Sequence, residues 1–154
     1  MAKLTNDITR VFETQPDANT VLVAAGAKIY AGALVGRNAD GYGRPFEAGD
    51  AIAGFAKDHI DNTSGADGDK SCDLKAIGKV ALTIPGVKQS DIGKMVYAID
   101  EDGFTLTTKE DSALGRVIRI EAEDAAIVAF DLLNADEELL VVDAEEEPNE
   151  GQGE

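Results

Sequence analysis

Apolar positions along this chain come in short runs broken by glycine and by Asp-Gly pairs, and the punctuation occurs twice. The first copy, Ala31 to Ala56, has an apolar run (Leu34, Val35), an Asp40-Gly41 turn, an aromatic (Tyr42) and then Ile52-Ala53-Gly54-Phe55-Ala56. Its echo has Met95 and Val96, then Asp102-Gly103, the aromatic Phe104, and Leu114-Gly115-Arg116-Val117-Ile118. Asp and Gly tolerate the positive φ of a tight hairpin turn, so each copy predicts strand, turn, strand and a further short strand marked by glycine.

Around these units the pattern predicts more strands and little helix. Val21 to Val23 and Ala27 to Tyr30 read as short strands separated by Gly26. His59 to Ser71 reads as a polar surface loop, and alternation resumes at Cys72, Leu74 and Ala76, then Val80, Leu82 and Ile84, as one long strand or two broken at Gly78. Gln89 to Gly93 suits one helical turn or a plain turn. Glu121 to Asp124 turns the chain into the buried strand Ala126 to Leu132, Asn134-Ala135-Asp136 turns it again, and Leu139 to Val142 reads as a closing strand or an outward apolar patch.

The ends differ from the middle. Residues 1–20 form an N-terminal arm without glycine, where Leu4, Ile8, Val11 and Phe12 also suit one face of a short helix. The arm reads either as a frayed or edge segment packed on its own domain, or as an extended segment that orders on a partner. The β-domain is expected over residues 21–143. Residues 144–154 (AEEEPNEGQGE) have the composition of a disordered acidic tail.

Composition narrows the classes. A length of 154 residues suits one domain. Aromatics make up 5%, with no Trp, so the core relies on Val, Ile, Leu and Ala, and sixteen glycines favour many turns. The expected fold is all-β: a single-domain β-sandwich or barrel-like (jelly-roll-like) unit with two related hairpins. The net charge of -16 opposes a phosphate backbone, so nucleic acid is not an expected partner. No apolar run approaches the ~20 residues of a spanning helix, and no membrane partner is expected. A single cysteine, Cys72, and the lack of a basic-then-apolar leader suggest synthesis in a reducing cytoplasm.

Chemistry has little purchase on this sequence. His59 and Cys72 are the sole residues of their types, too few for structural zinc and separated by the polar loop. Asp58, Asp61, Asp67, Asp69 and Asp73 invite calcium, but the best register, Asp67-x-Asp69-x-Ser71, puts Cys72 where an EF-hand loop needs glycine and Gly78 where it needs the bidentate Glu. No phosphate-binding glycine motif is present. No cofactor or metal is expected, and the chain is not read as an enzyme.

Gly32-Ala33-Leu34-Val35-Gly36, Glu47-Ala48-Gly49-Asp50, Ile52-Ala53-Gly54, Gly93-Lys94-Met95-Val96-Tyr97, Asp102-Gly103 and Leu114-Gly115-Arg116-Val117 together resemble the small capsid cement, or head decoration, proteins of tailed bacteriophages. The resemblance covers roughly Val21 to Leu132. It implies a non-enzymatic all-β protein, made in the host cytoplasm, that binds the major capsid protein on the outer face of the expanded shell and stabilises it against packaged DNA. It also implies self-association as a homodimer or homotrimer. Lys3, Leu4, Ile8, Arg10, Val11 and Phe12 of the arm are then the candidate contacts to the shell or a neighbouring copy. Two other readings of the residues are a cellular β-sandwich module for a glycan or protein partner, which would call for an aromatic-lined face and an export signal, and a small hydrolase using paired acids.

Overall fold

A computed structural model of the protein describes residues 3–12 and 18–133. Residues 13–17, the Asn134–Asp136 turn, the Leu139–Val142 run and the acidic tail lie outside the described residues. The fold is all-β, a sandwich- or barrel-like single domain of twelve strands among those residues. In chain order they are β1 (Ala18–Leu22), β2 (Lys28–Ile29), β3 (Leu34–Arg37), β4 (Gly43–Pro45), β5 (Ala51–Ala56), β6 (Ile60–Asp61), β7 (Ser71–Lys75), β8 (Ile77–Thr83), β9 (Met95–Asp100), β10 (Gly103–Thr105), β11 (Ala113–Ala122) and β12 (Ala125–Asp131). A single 3-10 turn, Gln89–Asp91, precedes β9.

The two hairpins form where the Asp-Gly pairs predict them, β3 with β4 and β9 with β10. The repetition reaches further than the hairpins. One sheet has the order β1-β7-β5-β3-β4, and the other, read from its β8 edge, is β8-β12-β11-β9-β10. Each half of the chain thus builds a five-stranded antiparallel sheet in which its first strand pairs with its last. Register repeats with the order: Val35 pairs with Gly54 and Gly36 with Ile52, while Val96 pairs with Gly115 and Tyr97 with Ala113. Counterparts lie 61 positions apart (35 and 96, 54 and 115), and in each sheet one residue, Ala53 or Leu114, is left over as a bulge.

Turn hydrogen bonds repeat at the same spacing. Gly32 N–H donates to Ala56 O and Gly93 N–H to Val117 O; Ala33 N–H donates to Tyr30 O and Lys94 N–H to Asp91 O. Gly32 and Gly93 sit at φ +88 and +93, a left-handed corner that a side chain would strain. Both sheets are entered through the same glycine turn.

Each half fills its own core. Val21, Val23, Val35, Ala53 and Ala56 are buried in the first, and their counterparts Leu82, Ile84, Val96, Leu114 and Val117 in the second. The first set is smaller, and its missing volume is supplied by the ribbon of β2 and β6, which brings fully buried Ile29 and half-buried Ile60 against it. Burying a Val or Leu side chain stabilises by roughly 1.5–3 kcal/mol, so neither core is marginal. Leu34, Phe46 and Phe55 belong instead to the second half's core, where Phe55 meets Phe130 edge-on at 5.3 Å and ties the halves together.

Three details differ from the expectations. The strand that changes sheets breaks at Ala76, the one residue between β7 and β8, and Gly78 lies inside β8. The polar loop contains β6, because Asn62 at 1% exposure donates from Nδ2 to the carbonyls of Ala24 and Ala66 and pins the loop to the body. The described arm residues are not helical, because their apolar side chains pack against sheets and turns instead of a helix face.

Candidate interaction surface

Residues 3–12 run as a strap across the seam between the two halves. At its start, Leu4 N–H donates to Glu101 Oε2 (2.9 Å) in the second half. In the middle, Ile8 N–H donates to Ala31 O (2.9 Å) in the first half, and Asp7 Oδ1 accepts from Ala31 N–H (3.1 Å) and faces His59 Nδ1 at 3.0 Å. At the end, Ala81 N–H of β8 donates to Val11 O (2.9 Å), and Phe12 bridges to Val80. The strap therefore caps the β8 edge of the second sheet through an isolated β-bridge.

Arg10 is the strap's anchor. Its side chain is 5% exposed, Nε donates to Gly32 O and Nη2 to Asp102 Oδ1, both at 2.8 Å, and the guanidinium lies 5.4 Å from the ring centres of Phe55 and Phe104. Burial pulls its pKa down while Asp102 pulls it up. A planar cation suits this slot, since it stacks on rings and bonds in its plane at once. Phe12 continues the packing, edge-on to Phe55 and Phe130 with Lys75 Nζ 4.2 Å from its ring centre.

The receiving turn is acidic. Asp100 is 2% and Glu101 4% exposed. Asp100 Oδ1 accepts Asp102 N–H, while Asp100 Oδ2 and Glu101 Oε1 are buried without a hydrogen-bond partner. Burial, reinforced by the neighbouring Asp100 and Asp102, pushes the Glu101 carboxyl up, against the pull of Leu4 N–H and Lys3. Beside this turn a hollow of about 520 Å³ opens between Lys3, Phe46, Ile99 and Lys109.

Of the six arm residues singled out in the sequence, Leu4, Ile8, Arg10 and Phe12 face their own domain, and Lys3 and Val11 (59% exposed) face outward. Asp100, Glu101, Gly32 and Phe55, which receive the strap, were not legible as a site. Their one signal is three successive acids in the second hairpin, matched against Lys3 and Arg10. Elsewhere, Asp67 accepts Ala25 N–H, Asp69 accepts Ala66 N–H and Asp61 accepts Thr63 N–H, so these carboxylates hold loop backbone. Among the described residues no group of three His, Cys, Asp or Glu converges as metal ligands. Cys72 is fully buried in the first core, and that burial pushes its thiol up to about 12. Backbone donors, one guanidinium and acceptor carboxylates equip this surface to hold strands. No family model matches the chain, and no curated protein or solved structure matches it either.

Proposed function

We propose that this protein is a decoration protein of a tailed-phage capsid, binding the major capsid protein on the outer face of the expanded shell. The observation that supports the reading most is the use made of the glycine motifs that carry the family resemblance. Ile52-Ala53-Gly54 and Leu114-Gly115-Arg116 carry the bulges of two equivalent sheets, Asp40-Gly41 lies in the first hairpin turn, and Asp102 lies in the second with Gly103 opening β10. The result is a doubled, strap-bound β block suited to bearing load.

A protein that binds only the assembled shell stabilises it by mass action, by RT ln(1 + [L]/Kd) per site. Many copies resist internal pressure without any one contact being strong. The acidic tail, five carboxylates without a base over residues 144–154, adds like charge that keeps particles apart. On this reading the arm offers the shell Lys3 and Val11, its outward side chains. The test is to heat filled particles with and without bound protein and follow DNA release. The reading expects release at a higher temperature when the protein is bound, and an unchanged temperature at saturating occupancy contradicts it.

A further inference from the structure

The 61-residue repeat exposes an asymmetry between equivalent sheet faces. Leu34 pairs with Phe55 on the first sheet, and both are fully buried in the second half's core. Their counterparts on the second sheet, Met95 and Arg116, pair in the same register. Yet Met95 is only half-buried and in neither core, and Arg116 is exposed. Among the described residues neither core extends to this face of the second sheet.

Strand pairing maps the face. Arg116 sits across from Ala129, and Ala129 from Lys79; Arg119 sits across from Ile127, and Ile127 from Ala81. Tyr97 joins Met95 there by alternation along β9. The surface is apolar with basic residues among it, on a chain whose net charge is -16. Asp131, and Glu121 on Arg119 Nε at 2.7 Å, offset part of that positive charge. Ile127 is 2% exposed although neither core includes it, so the face withholds apolar surface from water as a core does.

We infer that this face is the docking site of the chain's own residues 139–142 (LLVV), which lie outside the described residues. Their sequence has the complementary pattern: four apolar residues between Asp136, Glu137 and Glu138 on one side and Asp143, Glu145 and Glu146 on the other. The apolar residues match Met95, Tyr97 and Ile127, and the flanking acids match Lys79 and Arg116. Apolar burial holds such a contact, and the opposite charges orient it. The connection is long enough. Leu133, the last described residue, follows β12 by two positions. Six residues from there span up to roughly 20 Å, whereas β9 lies two strand spacings from β12, about 10 Å. A reversal at the Asn134-Ala135-Asp136 turn signal sends the run back along β12 toward Ile127. β12 has both edges paired, to β11 and β8, so the contact is made by side chains on the face. Residues 144–154 then project from the closed domain. This closure is independent of the capsid.

The test is methyl NMR of the full chain in dilute solution, with Met, Leu and Val methyls labelled. Met1 and Met95 are the chain's two methionines, so the Met95 methyl reports the face and Met1 is the reference. Nuclear Overhauser contacts from Met95 to methyls of residues 139–142 are expected. They should vanish when Leu139→Asp and Leu140→Asp are combined, with a shift of the Met95 methyl and none of Met1. Arg116→Glu, which reverses a charge on the face, should weaken them, and Arg116→Lys should not. No such contacts in wild type, or contacts untouched by both the paired Asp substitutions and Arg116→Glu, overturn the inference. Contacts seen only between differently labelled copies also overturn it, assigning the run to a second copy. So does a Met95 methyl that gains contacts only on expanded shells, which gives the face to the capsid and leaves the decoration reading standing.

Discussion

Gly54 and Gly115 occupy the same place in two sheets: each follows a bulge residue, each pairs with a valine (Val35, Val96), and each faces a carbonyl of the next strand, Lys75 O or Ala129 O. A Cβ on Gly54 would lie 2.9 Å from Lys75 O, and one on Gly115 would press well inside contact distance of Ala129 O. Gly54 also has φ +153. Both substitutions to alanine should destabilise, Gly54→Ala by about 1–3 kcal/mol and Gly115→Ala by about 3 kcal/mol or more. Urea titration checks the order, and a neutral Gly115→Ala contradicts the close approach of β11 and β12.

Buried Arg10 and partly exposed Asp102 form an ion pair that joins the strap to the second half. Removing one partner of such a pair leaves a buried charge uncompensated, at a cost of about 3–5 kcal/mol. Asp102→Asn should therefore lower stability strongly. Arg10→Met, which keeps apolar contact with Phe55 and Phe104 but frees Asp102 (side chain 25% exposed) to meet water, should cost less. Denaturation midpoints of the two variants give the comparison, and equal stability of Asp102→Asn and wild type argues against the pairing.

Glu101 carries a pH signature. Because burial raises its folded pKa, the folded protein holds this proton where the unfolded chain releases it. The associated stability is fully present below the ordinary Glu value and is lost as pH rises through the folded one. Glu101→Gln should be more stable than wild type at about pH 7, by about 1 kcal/mol, and the gap should close near about pH 4. Thermal melts across that range test it, and a gap that widens on acidification contradicts the sign.

The hairpins were legible because Asp-Gly turns, flanking apolar pairs and the closing glycines are local signals. The full repeat was not. Val21 and Val23 share only side-chain character with Leu82 and Ile84, and strand order arises from pairings between distant residues. The sheet change at Ala76 is hidden since alanine carries no turn signal, whereas Gly78, which does, extends within β8 at φ +153. β6 escaped notice because its one apolar residue, Ile60, sits among polar ones. In the sequence Arg10 reads as an arm contact to the shell or a neighbouring copy, and only the approach of Asp102, Phe55 and Phe104 from far along the chain makes it a buried anchor.

The most direct measurement is co-sedimentation of the purified protein with expanded, undecorated capsids of a candidate phage, with unexpanded shells as control. Saturable binding to the expanded form alone, at a copy number fixed by shell geometry, is the result predicted. Failure to bind either form, or equal binding to both, contradicts the decoration role.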